Sequence, residues 1–152
     1  MSKFALSFGN FDPIPEGTDV VLRIKSVDDS KLETFGKVKV ILEDEKGHNH
    51  TENFSMYLSD GKTENNAGRW YLTNLYMVAL GLDEIEDGEE VDLQNMTGHF
   101  IRCDITHEKV ESTKKPGTFN TYSRLGKEKF HADGFDGETK SKPAFDLDSL
   151  LG

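Results

Sequence analysis

The period of the hydrophobic pattern changes twice along this chain, and that constrains its fold more than any other feature. Val20, Leu22 and Ile24 alternate with Val21, Arg23 and Lys25, a two-residue period that predicts a strand from Val20 to Val27. A second strand is expected from Phe35 to Glu43, with Val38, Val40 and Leu42 on one face and Phe35, Lys37, Lys39 and Ile41 on the other. Lys46-Gly47 supplies a hairpin turn. In the third strand, Thr51 to Leu58, Phe54, Met56 and Leu58 face inward while Asn53, Ser55 and Tyr57 face outward. The period then lengthens. Leu72, Leu75, Tyr76 and Ala79 form one stripe of an amphipathic helix from Ala67 to Leu80, with Asn65 or Asn66 as N-cap and Gly81 as stop. Alternation returns from Gly98 to Thr106, where Ile101, Cys103 and Ile105 oppose Phe100, Arg102 and Asp104. A loop, Ser112 to Gly117, leads to a last strand from Thr118 to Leu125.

Three strands, one helix and two strands is the element order of a five-stranded Greek-key barrel, the OB-fold. An α+β sheet packed on one helix has the same order, so the pattern predicts a mainly β chain and leaves strand pairing open. Outside this unit the pattern stops. Phe4 to Glu16, with Phe4, Phe8, Phe11, Pro13 and Pro15, reads as an extended arm whose aromatics pack on the domain. Lys127 to Lys142 lacks apolar periodicity and reads as a flexible linker, with an ordered piece around Phe130. Residues 143–152 alternate acids with large apolar side chains. The expected division is a domain over residues 1–130 and a linker and tail over 131–152.

With 10% aromatic and 35% hydrophobic residues, the 152-residue chain is too rich in core formers for wholesale disorder. No apolar run approaches the roughly 18 residues of a membrane span, and Met1-Ser2-Lys3-Phe4 does not open a signal peptide. Cys103 is the single cysteine, which excludes an internal disulfide and a multi-cysteine zinc site and makes a reducing cytoplasm the expected compartment. The net charge of −10 argues against a nucleic-acid partner, because phosphate binding is driven by cations. However, Asp83, Glu84, Glu86, Asp87, Glu89, Glu90 and Asp92 supply seven of those charges in one stretch. The remainder is near balance, so a local basic face stays open.

Catalytic signatures are missing from the sequence: it has no GxSxG, P-loop, dinucleotide-binding glycine pattern or HExxH. His48 and His50 alternate beside a hairpin turn and could chelate a metal from one face, although solvated histidines are the commoner outcome. His99 and His107 share the inward phase and are expected at the rims of the core, and Cys103 is expected to be buried and inert. The acidic stretch lacks the ligand and glycine spacing of an EF-hand. A non-enzymatic chain without cofactor or metal is expected.

The outward phase is more informative. Arg23 and Lys25, Phe35, Lys37 and Lys39, Tyr57, and Phe100 and Arg102 interleave cations with rings, and Tyr122 and Arg124 continue the set. Single-stranded nucleic acid requires this combination, since cations track phosphates while each ring stacks a base for about 1–3 kcal/mol. Lys114 and Lys115 fall in the loop between the fourth and fifth strands, one of the loops that flank the groove of an OB barrel. Ordinary half-solvated strands carry the same pattern, and the aromatic arm could cover Phe35, Tyr57 or Phe100.

The segment Ile14-Pro-Glu-Gly-Thr-Asp-Val-Val-Leu-Arg-Ile24 resembles the P-x-G-x-Y-x-V-x-I opening of a family of bacteriophage single-stranded DNA-binding proteins. Trp70 to Gly81 resembles that family's helix, Gly98 to Glu108 its G-x-x-x-x-x-x-V-x-H-E strand, and Thr118-Phe-Asn-Thr-Tyr122 its aromatic–Asn strand. The resemblance spans roughly residues 11 to 130 and rests on the order of short motifs. It implies an OB-fold that protects single-stranded DNA in phage replication or recombination, in the host cytoplasm. Arg23, Lys25, Lys37, Lys39, Arg102, Lys114, Lys115 and Arg124 would then meet phosphates, and Phe35, Tyr57, Phe100 and Tyr122 would stack. The tail residues Phe145, Asp146, Leu147, Asp148, Leu150 and Leu151 resemble the acidic, apolar-ended segments with which such proteins recruit replication and recombination partners. Docking of that tail on its own domain or a neighbour's is an equal reading, and homo-oligomerisation stays open. The rival function is an acidic protein-interaction module, an adaptor or DNA mimic, with the barrel as scaffold.

Overall fold

The computed structural model describes residues 13–135. Five antiparallel strands form one sheet in the order β3-β2-β1-β4-β5. Their ranges are β1 Gly17–Asp28, β2 Lys37–Glu43, β3 Asn49–Ser55, β4 Phe100–Glu111 and β5 Phe119–Ala132. The inward phase is the one the alternation marks. Leu22 and Ile24, then Val38, Val40 and Leu42, then Ile101, Cys103 and Ile105 are all buried. Each such side chain removed from water contributes about 1.5–3 kcal/mol, so this one face holds the sheet in register.

Helix α2, Asn66–Leu80, closes one end of that face. Asn65 caps it, its side-chain oxygen accepting from the Gly68 N–H at 3.0 Å, and Gly81 ends it in a left-handed conformation with φ of 69°. Leu72, Leu75, Tyr76 and Ala79 are its buried residues, the stripe the sequence predicts. A Cβ at Gly68 would lie 2.3 Å from the Ser55 carbonyl oxygen, so glycine is what lets the first turn lie against β3. A 3₁₀ turn, Leu93–Met96, seals the other side, with Gln94 Nε2 donating to the Val27 carbonyl at 2.8 Å.

Several expectations are corrected. Phe35 does not open the second strand. It ends a four-residue helix, α1, Leu32–Phe35, and Gly36 in left-handed conformation turns the chain into β2. Tyr57 and Leu58 lie beyond β3, with Tyr57 in a lone bridge to Glu64; Leu58 is 48% exposed rather than inward. Residues Lys127 to Ala132, read from composition as linker, continue β5, because β4 offers them a partner ladder from Phe100 to Cys103. β1 carries an extra residue at Lys25, where Ile24 opposes Leu42 and Ser26 opposes Ile41; this resets the phase so that Val27 also turns inward.

The expected closed barrel is not present in the backbone pairing. β3 and β5 are the two edges of the sheet, and no ladder joins them. They are connected instead by side chains. His50 Nδ1 and Ser123 Oγ, both buried, are 2.7 Å apart. The arm residues Phe4, Phe8 and Phe11 and the tail from Phe145 to Leu151 lie outside the described residues, whereas Pro13–Glu16 leads into β1 without regular secondary structure and Ile14 is fully buried.

Candidate nucleic-acid interface

The outward phase of the strands places Arg23, Lys25, Lys37, Lys39, Arg102 and Arg124 on the outer face of the sheet, and register explains how they are held. Arg23 opposes Glu43 across β1 and β2 and donates to it, Nε to Oε2 at 2.7 Å. Arg102 on β4 makes a two-pronged bond to Asp19 on β1, from Nη1 to both carboxylate oxygens at 2.7 Å. Arg124 on β5 donates from Nε to Glu108 Oε1 on β4 at 2.6 Å. Among the described residues the lysines of this face make no ion pair. Lys31, on α1's leading edge, Lys37 and Lys39 surround a cleft with Asp28 and Asn53. The Asp28 carboxyl is held below its ordinary range by the Ser30 hydroxyl and N–H, with Lys39 and Lys31 adding to the effect.

The predicted stacking rings divide into two kinds. Phe35 and Tyr122 are well exposed, at 62% and 45%. Phe100 is half-buried under Phe135, edge to face at 5.0 Å between centroids. Tyr57 sits off the strand face, packed against Gly36 and covered by Arg69, whose Cζ is 5.2 Å from the ring centroid. Lys114 and Lys115 occupy the turn of the β4–β5 hairpin, where Ser112 Oγ accepts from both backbone N–H groups. β1 pairs with β4 only as far as Ile105, so this hairpin projects past the sheet and separates those two lysines from Lys37 and Lys39.

Sequence reasoning missed Phe130, which is 51% exposed on β5, opposes Arg102 in register and lies 5.6 Å from its guanidinium carbon. Alternation of Lys127, Lys129 and His131 with Glu128 and Phe130 was the available signal, masked by the absence of any apolar stripe. It also missed the carboxylates Asp19, Glu43 and Glu108, which register alone brings to the arginines.

The remaining candidates find structural partners. The Asp44 carboxylate accepts from the backbone N–H groups of Lys46 and His48 and from the His48 ring, which ties the hairpin turn together. Glu52 Oε1 accepts from His50 Nε2 at 2.6 Å, so in the neutral ring Nδ1 accepts from the Ser123 hydroxyl. His107 Nε2 donates to the Ile14 carbonyl, at the rim as expected. Burial pushes the Cys103 thiol up to about 11. No group of three or more His, Cys, Asp or Glu among the described residues is arranged to hold a metal. No described helix is long and apolar enough to cross a membrane. The acidic stretch lines a cleft with α2, where Glu86, Asp87 and Glu89 face Arg69 and Thr73, and not the outer strand face. Comparison with protein-family models, with curated proteins and with solved structures finds no match to this chain.

Proposed function

We propose that this chain is a non-enzymatic single-stranded DNA-binding protein of OB type that reads the backbone and stacks bases with little sequence preference. The observation that carries the reading is the outer strand face, which combines lysines that make no ion pair among the described residues with exposed rings. Phosphates would run along Lys25, Lys37 and Lys39 and past Arg102 and Arg124, with bases on Phe35, Tyr122 and Phe130. Placement of the acidic stretch beside α2 supports it, because the same charge on the outer face would repel the strand. The sheet order supports an OB barrel whose β3–β5 seam is spanned by side chains in place of a ladder. Protection of single strands in phage replication or recombination, and recruitment of partner proteins by the tail, follow from the resemblance and are part of the same proposal.

Fluorescence anisotropy of a labelled oligo-dT of about 30 nucleotides, titrated at low and moderate salt beside matched duplex, tests it. Salt-sensitive binding of the single strand in preference to the duplex is the expected result. No binding at low salt rejects the reading in favour of the acidic interaction module.

A further inference from the structure

The three arginines of the outer face share one arrangement. Each guanidinium is bound to a carboxylate on the adjacent strand: Arg23 to Glu43, Arg102 to Asp19, Arg124 to Glu108. In two cases the guanidinium also lies over an exposed ring of β5, Arg102 over Phe130 at 5.6 Å and Arg124 over Tyr122 at 5.9 Å. Carboxylate, guanidinium and ring thus recur as a unit at two places along the β4–β5 ribbon. The backbone is bent to build one of them. Asp19 is the one non-glycine residue with positive φ among the described residues, at 56°. It sits where β1 gains an extra residue against β4, with its N–H donating to Asp104 Oδ1 at 2.9 Å. Few side chains adopt that region without strain, and Asp is among the residues that tolerate it best.

We propose that Asp19, Glu43 and Glu108 are built-in competitors for the phosphates of a bound single strand and set its affinity; this rests on the single-strand reading above. Each carboxylate takes up guanidinium N–H groups that would otherwise be open to a phosphate. Binding is therefore an exchange, in which the arginine leaves its carboxylate for a phosphate and, at Arg102 and Arg124, moves off a ring that a base can then stack. The exchange leaves an unpaired carboxylate close to the phosphodiester chain. That repulsion offsets part of the gain, and the arginine adds little net positive charge to the site. Among the described residues the lysines of this face form no ion pair, although Lys39 stands opposite Asp28 across β1 and β2.

The test compares the full chain with the D19N/E43Q/E108Q variant on labelled oligo-dT of about 30 nucleotides across a salt series. Asn is tolerated at positive φ as Asp is, so the bulge at position 19 is retained. The variant is expected to bind roughly 3- to 125-fold more tightly at moderate salt, at about 1.4- to fivefold for each of the three pairs released. Its log–log salt slope should steepen by up to about 3, one for each cation freed. As control, E86Q/D87N/E89Q removes equal charge beside α2 and is expected to change affinity less than twofold. Equal tightening by both variants, or unchanged or weaker binding by D19N/E43Q/E108Q, overturns the exchange while leaving the single-strand reading intact. Absence of binding by the unaltered protein overturns both. E108Q alone, on the projecting hairpin and away from the core, keeps the test open if the triple variant does not fold.

Discussion

His50 on β3 and Ser123 on β5 join the two edges of an otherwise open sheet through a hydrogen bond of 2.7 Å between buried side chains. Glu52 completes the group from the second nitrogen of the ring. A backbone ladder distributes such a connection over many weak bonds. Here the direct hydrogen bond between the edges is one buried polar pair, beside helix α2, which packs on both edge strands, so its loss should be felt out of proportion to its size.

Ser123→Ala removes the hydroxyl and leaves His50 Nδ1 buried without a partner. Equilibrium urea denaturation should show a loss of about 1–3 kcal/mol with little change in m-value. A loss under 0.5 kcal/mol would mean that water replaces the hydroxyl and that the seam is not dry.

Gly68→Ala sets two effects against each other. Helix propensity favours alanine by about 1 kcal/mol. The added Cβ would lie 2.3 Å from the Ser55 carbonyl oxygen and force α2 off β3. Contact should win, and thermal denaturation should show a lower Tm. A raised Tm would show that the helix has room to shift.

Cys103 links stability to alkaline pH. The folded thiol is raised from its ordinary 9.0 to about 11 by burial, so an unfolded chain loses this proton first as pH rises. The stability it contributes is complete below pH 9 and is lost as pH climbs toward 11. Cys103→Ala should flatten that part of the stability–pH curve relative to wild type. In the native protein at neutral pH the thiol should also resist alkylation until the chain unfolds, and rapid native labelling would contradict its burial.

Lys37→Ala with Lys39→Ala should weaken single-strand binding and lower the salt slope by about 2, one for each phosphate contact removed. Phe130→Ala should weaken binding by about 1–3 kcal/mol with the slope unchanged, because it removes stacking and no charge. An unaltered slope in the lysine variant would take Lys37 and Lys39 out of the path of the strand.

Local periodicity determined the elements of this protein. Leu22, Ile24, Val38, Val40, Leu42, Ile101, Cys103 and Ile105 are buried as their alternation requires, and the α2 stripe of Leu72, Leu75, Tyr76 and Ala79 is as spaced. Burial acts on each residue through its own phase, so the sequence carries that information directly. The tertiary structure decided what depends on partners distant in the chain. β5 extends through Phe130 only because β4 lies beside it. The open seam, closed by His50 and Ser123 from positions 73 residues apart, has no local signature. The same holds for the outer face. Its cations were legible as a phase, but Asp19, Glu43 and Glu108 neutralise three of them across strands, and register, set by core packing and bulges, fixes which charges meet.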